Sequence, residues 1–147
     1  MKRILIVNGP NLQLLGKREP GIYGAETLDA VIAAAVERGR EMGVHVDAVQ
    51  SNTEDVIATK LGDAIGVYDG IIINPAAYTH TSIVIRDAIA ATGLPTVEVH
   101  LSNIFKREEF RHTSMTAPVC IGQITGLGGF GYVLALEALV RALGSEK

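Results

Sequence analysis

The chain has 147 residues, 48% of them hydrophobic and 20% charged, and its formal net charge is −3. This composition excludes a disordered chain, and the lack of a basic excess argues against a nucleic-acid or membrane surface. Because Cys120 is the single cysteine and the apolar run after Met1 is too short for a signal peptide, we expect a cytoplasmic protein without an intramolecular disulfide.

Short β-branched segments alternate with longer helical patterns along the chain, which is typical of βαβ units. We predict five parallel strands, at Arg3–Asn8, Val44–Gln50, Asp69–Asn74, Thr96–Leu101 and Val119–Thr125. Helices are predicted at about Thr27–Met42 before Gly43, after an N-cap at Asn52, from Ser82 to Gly93, as a short charged helix at about Lys106–Phe110, and at about Gly129–Leu143. The pattern predicts one α/β domain over 1–147, a three-layer fold with a five-stranded parallel sheet in flavodoxin-like order.

Polar residues follow the predicted strands at their carboxyl ends, where open α/β sheets bind ligands. The first strand runs into Asn8-Gly9-Pro10-Asn11, and the third ends at Asn74. The segment after the first strand carries Arg18, Tyr23 and three glycines, and it is longer than most βα connections. We therefore predict a lid loop at about 16–25.

Glu98 and His100 are two residues apart on the fourth predicted strand, so their side chains point to the same side of the sheet. A carboxylate beside an imidazole orients the ring and fixes its tautomer for proton transfer. The alternatives are a satisfied core pair and a salt bridge at a subunit contact. Because an ionisable pair is costly on a strand covered on both faces, we favour the functional interpretation.

Several short motifs occur in order over essentially the whole chain. They are Asn8-Gly9-Pro10-Asn11-Leu12, Gly16-Lys17-Arg18-Glu19-Pro20 with Tyr23-Gly24, Gln50-Ser51-Asn52, Asn74-Pro75-Ala76-Ala77-Tyr78-Thr79-His80-Thr81-Ser82 with Arg86-Asp87, Glu98-Val99-His100-Leu101-Ser102-Asn103, and Arg107-Glu108-Glu109-Phe110-Arg111. Together they resemble type II 3-dehydroquinate dehydratases. The departures are slight: Gln13 and Ala76 stand where the family often has asparagine and glycine, and a common glycine is missing after Asn52.

The resemblance implies a lyase that dehydrates 3-dehydroquinate to 3-dehydroshikimate, in the shikimate pathway or in quinate catabolism. It implies no cofactor and no metal, and an assembly of twelve subunits built as four trimers. The small molecule 3-dehydroquinate would be the substrate, and no nucleic-acid or membrane partner is expected.

The resemblance also assigns an anti elimination through an enolate. Loss of water β to a ketone needs a base, a group that holds the enolate, and an acid for the departing hydroxide. The base would be Tyr23. The pKa of a phenol is ordinarily about 10, so the cation of Arg18 would be needed beside it to stabilise the phenolate. The acid would be His100, fixed by Glu98, and Asn74 would hold the enolate oxygen. The alternatives are an ordinary loop tyrosine and a turn-capping asparagine.

The remaining site residues carried over by the resemblance bind substrate. Leu101 and Ser102 would take the carboxylate, with backbone amides as an anion site. His80 and Arg111 would take ring hydroxyls, although His80 could instead cap a helix and Arg111 could belong to a solvated face. Three further residues complete this prediction: Asp87, reaching a neighbouring subunit's site although it looks like a surface charge, Asn11 on the lid side, and Arg107, helping to close the pocket.

Other patterns are interpreted as structural. The G-x-G-x-x-G pattern from Gly126 to Gly131 opens the last predicted helix without a second strand to follow, so we interpret it as close helix-to-sheet packing rather than a dinucleotide site. The histidines lack i, i+4 spacing, which predicts no metal site. Cys120 lies in an apolar run and is expected to be inert, and no lysine lies where imine chemistry would need it.

A flavodoxin-like binding or signalling module is the alternative that the fold alone would permit. Its phosphate loop should be rich in serine and threonine after the first strand, and a phosphoacceptor module needs aspartate at the end of the third. This chain has Asn8-Gly9-Pro10-Asn11 and Asn74 at those places, which favours the dehydratase.

Overall fold

The computed structural model describes residues 1–17, 19–23 and 26–144, with the backbone alone at 20 and 23. The strands are β1 (Arg3–Asn8), β2 (His45–Gln50), β3 (Gly70–Asn74), β4 (Thr96–His100) and β5 (Gly122–Thr125). The α-helices of this part of the chain are α1 (Pro20–Tyr23), α2 (Leu28–Glu41), α3 (Glu54–Asp63), α4 (Ile83–Thr92) and α5 (Phe130–Gly144).

The five strands form one parallel sheet in the order β2-β1-β3-β4-β5. This confirms the predicted three-layer α/β fold and its flavodoxin-like order. The register places Asn8 beside Asn74 at the carboxyl ends of β1 and β3, and Glu98 beside Gln123 on β4 and β5. Asn8 and Asn74 end their strands, and parallel strands of this kind deliver their last side chains to one edge of the sheet.

Two apolar cores cover the two faces of the sheet. One contains Ile4, Ile6 and Val99 with residues of α2 and α5, and the other contains Leu5 and Ile73 with residues of α3 and α4. Alternate residues of a strand point to opposite faces, and β1 and β3 are apolar on both sides from Ile4 to Val7 and from Ile71 to Ile73, up to the asparagine that ends each strand. A polar residue at those ends is therefore exceptional against its surroundings.

Local residue types set most helix ends. The side chain of Thr27 accepts a hydrogen bond from the Ala30 amide at the start of α2, and Ser82 accepts one from the Ile85 amide at the start of α4. After α2 and α4 the chain reverses at Gly43 and Gly93, with φ of 71° and 65°. Glycine adopts this left-handed conformation without steric cost, and the sequence predicts that both helices stop at these glycines.

The predicted N-cap of α3 is wrong: Thr53, not Asn52, holds that position. The Oδ1 of Asn52 instead accepts hydrogen bonds from the Asn11 amide and from Gln50 Nε2, both at 3.1 Å. Asn52 therefore ties the loop after β1 to the end of β2, which is a tertiary contact that a helix-start pattern does not indicate.

The predicted charged helix at 106–110 is also wrong. This part of the chain forms two single 3₁₀ turns, Ile104–Lys106 and Glu109–Arg111, separated by extended backbone at Arg107 and Glu108. Asn103 caps the first turn by accepting from the Phe105 amide at 3.1 Å. Arg107 and Arg111 both line the cavity at the carboxyl ends of the strands.

The strand β5 begins at Gly122 rather than at Val119. A 3₁₀ turn occupies Ala117–Val119 and contains Pro118, which has no amide hydrogen to donate to a ladder. In the segments that the structure describes, no helix is both long enough and apolar enough to span a membrane.

Candidate active site

A cavity opens at the carboxyl ends of β1, β3 and β4, and its walls separate into an apolar and a polar group. Its apolar lining is Pro10, Leu12, Leu15, Ala76, Ala77, Leu101 and Ile104. Its polar lining is Asn11, Asn74, His80, His100, Ser102, Arg107 and Arg111. A cavity with apolar walls and a few convergent polar groups is the usual form of a small-molecule site.

The cavity brings together most of the side chains that the sequence nominated. Every polar lining residue was among them, and Leu101 was too. Glu98 lies directly behind the lining, bonded to His100. Asp87 is exposed on α4 and does not line the cavity of its own chain. Arg18 and the side chain of Tyr23 lie outside the described residues.

Glu98 and His100 form a buried hydrogen-bonded pair at the end of β4. The Nε2 of His100 lies 2.8 Å from Oε2 of Glu98, and the two side chains are 6% and 0% exposed. The carboxylate is an acceptor, so Nε2 carries a proton, and Nδ1 is the nitrogen left for the cavity. The two-residue spacing on a strand predicted this contact.

Neutral donors surround the rest of the Glu98 carboxylate. Oε1 accepts from Thr116 Oγ1, and Oε2 accepts from Gln123 Nε2 at 2.7 Å and from Ser114 Oγ at 3.0 Å. Burial raises the pKa of Glu98, but the hydrogen bonds from His100, Thr116 and Gln123 outweigh it and bring the pKa below its usual value. Glu98 is therefore held as a carboxylate in the interior.

Asn74 presents an oriented amide to the cavity. It is 3% exposed, and its Oδ1 accepts from the Ala76 amide at 3.1 Å while its Nδ2 donates to Tyr132 Oη at 3.0 Å. The turn that allows this has Ala76 at φ 53°, a conformation that favours glycine. A Cβ at Gly9 would lie 2.5 Å from the Pro75 carbonyl oxygen, so only glycine lets the two loops meet here.

Basic side chains form part of the polar lining of the cavity. Arg107 Nη1 donates to Ser102 Oγ at 3.4 Å, and Arg111 Nε donates to Glu108 at 3.2 Å. His80 Nδ1 donates to the Thr113 carbonyl at 2.9 Å, so its Nε2 is left for another partner. Burial lowers the pKa of His80, which favours its neutral form. The N-cap of α4 is Ser82, so His80 does not cap that helix.

Sequence reasoning missed four residues that support this site. They are Ser114, Thr116 and Gln123 around Glu98, and Tyr132 against Asn74. Gln123 could have been found, since a glutamine inside a strand next to a buried glutamate is an indication of pairing. The other three depend on tertiary placement of a loop and of the first turn of α5.

Three features were interpreted as structural: the glycine pattern from Gly126 to Gly131, Cys120 and the histidines. A Cβ at Gly126 would lie 2.9 Å from Asn103 Cβ, so this glycine lets the chain after β5 approach the loop after β4. A Cβ at Gly131 would lie 3.3 Å from Val99 Cγ1, so this glycine allows close contact of α5 with the sheet. Burial raises the pKa of Cys120 to about 12, as expected of an inert thiol. The described residues contain no group of three His, Cys, Asp or Glu side chains placed to hold a metal ion.

Comparison with known proteins matches the model of the family described as dehydroquinase class II over residues 2–140. The chain belongs to the class II dehydroquinase family. A 3-dehydroquinate dehydratase of Clostridium perfringens is 54% identical over 98% of this chain and 99% of its own length. The type II dehydroquinase of Butyrivibrio crossotus has a similar structure, with a TM-score of 0.93, 46% identity, and coverage of 95% and 97% of the two chains.

A second dehydroquinase structure, from Propionibacterium acnes, gives a TM-score of 0.92 at 45% identity and covers 96% of this chain and 97% of its own. Full-length likeness at this identity extends beyond the shared fold, and it includes the region that forms the cavity. The family match and the structural neighbours therefore agree with the observed fold.

Proposed function

We propose that the cavity at the carboxyl ends of β1, β3 and β4 carries out an anti elimination of water through an enolate. As a class II dehydroquinase, the chain is a lyase of the shikimate pathway that dehydrates 3-dehydroquinate to 3-dehydroshikimate. The observation that supports the mechanism most is the buried Glu98–His100 pair beside the oriented amide of Asn74. These groups supply the acid and the enolate donor that the reaction needs.

The first step is removal of a proton from the carbon next to the ketone. Tyr23 is the proposed base, with the guanidinium of Arg18 stabilising its phenolate. Its backbone ends α1, a helix that follows the cavity-lining Leu15 by a few residues. The electron pair of the broken C–H bond moves onto the ketone oxygen, where the free N–H of Asn74 donates to it directly or through water.

The second step expels the hydroxyl group. The enolate electrons return to form the C=C bond, the C–O bond breaks, and the departing hydroxyl takes the Nδ1 proton of the imidazolium form of His100 and leaves as water, so that His100 ends as the neutral ring bonded to Glu98 through Nε2. Glu98 fixes the ring of His100 and stabilises its charged form. Because the proton-accepting and proton-donating groups lie on different elements, they can act on opposite faces of the ring.

Substrate binding is proposed for the rest of the lining. The carboxylate fits the amides of Leu101 and Ser102, where Arg107 adds positive charge. Arg111 and His80 take ring hydroxyls, Asn11 holds the lid side, and Asp87 completes the site of a neighbouring subunit.

The wider assignments are proposals as well. Residues 1–147 act as one catalytic domain, and 16–25 act as a lid over the cavity. The chain assembles into a dodecamer of four trimers in the cytoplasm, and it takes part in aromatic biosynthesis or in quinate breakdown. No cofactor, metal, nucleic acid or membrane is proposed as a partner.

The reaction is tested by mixing the purified chain with 3-dehydroquinate and following the ultraviolet absorbance of the enone. We expect formation of product with chelator present and no nucleotide added, and no loss of activity after borohydride treatment in the presence of substrate. Inactivation by borohydride would indicate an imine on a lysine and would overturn the enolate mechanism. Tyr23→Phe should remove turnover with little change in KM, since the phenolate acts on the transition state.

A further inference from the structure

Tyr132 joins the ends of two strands beneath the cavity. It lies in the first turn of α5, is fully buried, and contacts Asn8 and Asn74 with its hydroxyl. Its Oη lies 2.6 Å from Asn8 Oδ1 and 3.0 Å from Asn74 Nδ2. Neither Tyr132 nor Asn8 lines the cavity, so they reach the reaction only through Asn74.

The three side chains can be bonded in one direction only. The Ala76 amide can only donate, so the Asn74 atom bonded to it is the acceptor Oδ1, and Nδ2 faces Tyr132. Nδ2 is a donor, so Tyr132 Oη accepts a hydrogen bond from it and donates its own single hydrogen to Asn8 Oδ1. The amide of Asn74 is thereby fixed at both ends, and one N–H of its two is left free.

Packing alone does not account for the Tyr132 hydroxyl. The ring belongs to the apolar core with Ile4, Ile6 and Ile72, where phenylalanine would fill nearly the same volume. Burial raises the pKa of Tyr132 well above its usual value, so the group stays a neutral phenol that needs partners.

Asn8 points to the same conclusion. Its Nδ2 is buried without a hydrogen-bond partner among the described residues, and an unsatisfied donor of this kind costs about 1–3 kcal/mol. An apolar residue at this position would avoid that cost. The asparagine is explained by its Oδ1, which takes the proton of Tyr132 and so keeps the phenol oxygen turned toward Asn74.

We propose that Tyr132 is a positioning residue that aims the free N–H of Asn74 at the enolate oxygen, with Asn8 setting the direction of the hydrogen bonds. This inference rests on the proposed function, in which Asn74 holds the enolate. Tyr132 touches no reacting atom; it removes the freedom of the Asn74 amide to turn, so the donor is in place before charge develops.

The test is a double-mutant cycle on turnover with Tyr132→Phe and Asn74→Ala. We expect Tyr132→Phe alone to lower kcat by about 10- to 100-fold, less than complete loss of an oxyanion donor, and to leave KM nearly unchanged. In the Asn74→Ala background the same substitution should change kcat by less than about twofold, because the group that it positions is gone. Tyr68→Phe is the matched control, since its hydroxyl bonds Asp47 outside the cavity and its loss should leave kcat unaltered.

Each outcome separates the inference from the function on which it rests. Equal kcat losses in both backgrounds, or wild-type kcat in Tyr132→Phe, would overturn the positioning role while Asn74 keeps its own. Wild-type kcat in Asn74→Ala would instead overturn the proposed enolate donor. If Tyr132→Phe does not fold, Asn8→Ala replaces it: it removes the acceptor of the phenol proton and should lower kcat with KM retained, and an unaltered kcat would contradict the inference.

Discussion

At the scale of single residues, the unusual feature is a buried carboxylate that has no lysine or arginine partner among the described residues. Glu98 is fully buried, and its partners are His100 and neutral hydroxyl and amide groups. An ion in the interior persists only when its oxygens are saturated with donors. Together with His100, these donors keep Glu98 charged, and the charged carboxylate holds the ring of a histidine that must give up a proton and regain it.

The depressed pKa of Glu98 predicts a pH-dependent contribution to stability. A carboxyl whose folded pKa lies below its unfolded pKa stabilises the protein above the unfolded pKa, and this contribution is lost as the pH falls through the folded pKa. The free energy of unfolding of wild type relative to Glu98→Gln should therefore decrease as the pH is lowered from neutral to below about 4. Urea unfolding at a series of pH values measures this difference.

The exposed carboxylate of Glu109 offers the control for that series. Glu109→Gln removes one carboxylate on the surface without touching the buried pair, so its own pH dependence sets the background. A difference between wild type and Glu98→Gln that stays constant from neutral to acid pH would show that Glu98 carries no depressed pKa.

Single residues also show what the sequence can indicate about a site. The spacing of Glu98 and His100 on a strand predicted their contact, because the twofold repeat of a strand needs no tertiary information. The contacts of Ser114 and Thr116 with Glu98 could not be predicted, because tertiary packing and not sequence spacing brings their loop to the carboxylate. Tyr132 looks in the sequence like one more apolar residue of an amphipathic helix.

At the scale of elements, the prediction was accurate where local chemistry decides and wrong where tertiary contacts do. The runs of β-branched residues predict the strands β1 and β4. The helices α2 and α4 end at glycines because the chain takes a left-handed turn there. The segment from Ile104 to Arg111 has the charge pattern of a helix, yet Asn103 capping and the contacts of Arg107 and Arg111 at the cavity hold it as two turns.

The packing of α5 on the sheet gives a prediction at this scale. Gly131 faces Val99 and Ile124, where an added Cβ would already lie 3.3–3.4 Å from their methyl groups. Gly131→Val should therefore lower the free energy of unfolding by about 1–3 kcal/mol through overpacking. Gly144→Val, at the end of the same helix with open space around it, is the matched control. Equal stability of the two variants in urea unfolding would show that α5 does not pack tightly here.

At the scale of the whole molecule, the position of Asp87 bears on the proposal that neighbouring subunits share their sites. It is exposed on α4 and stands outside the cavity of its own chain, although the family pattern assigns it to substrate binding. A neighbouring copy of the chain would bring Asp87 to the cavity if the subunits form trimers. Sequence pattern alone identifies such a residue but not the subunit whose site it completes.

Co-expression of two impaired variants tests this sharing. Chains with Asp87→Ala lack the donated residue, and chains with His100→Gln lack the acid, so each homogeneous protein should turn over poorly. In randomly mixed oligomers about a quarter of the sites would combine an intact His100 with an intact neighbouring Asp87, and activity should rise accordingly. Mixed protein no more active than the average of the two parents, or a fully active monomer in light scattering, would contradict shared sites.

Anti elimination requires the base and the acid to act on opposite faces of the substrate ring, and a substrate labelled with deuterium records which face is used. The methylene carbon between the ketone and the carbon that bears the departing hydroxyl has two hydrogens, and deuterium can replace either one. Of these two, the hydrogen anti to the departing hydroxyl should be lost. Proton NMR of the product should therefore show deuterium retained from the syn position and absent when the label was anti. Retention of the anti label would place proton removal on the same face as the leaving group and would contradict the division of roles between Tyr23 and His100.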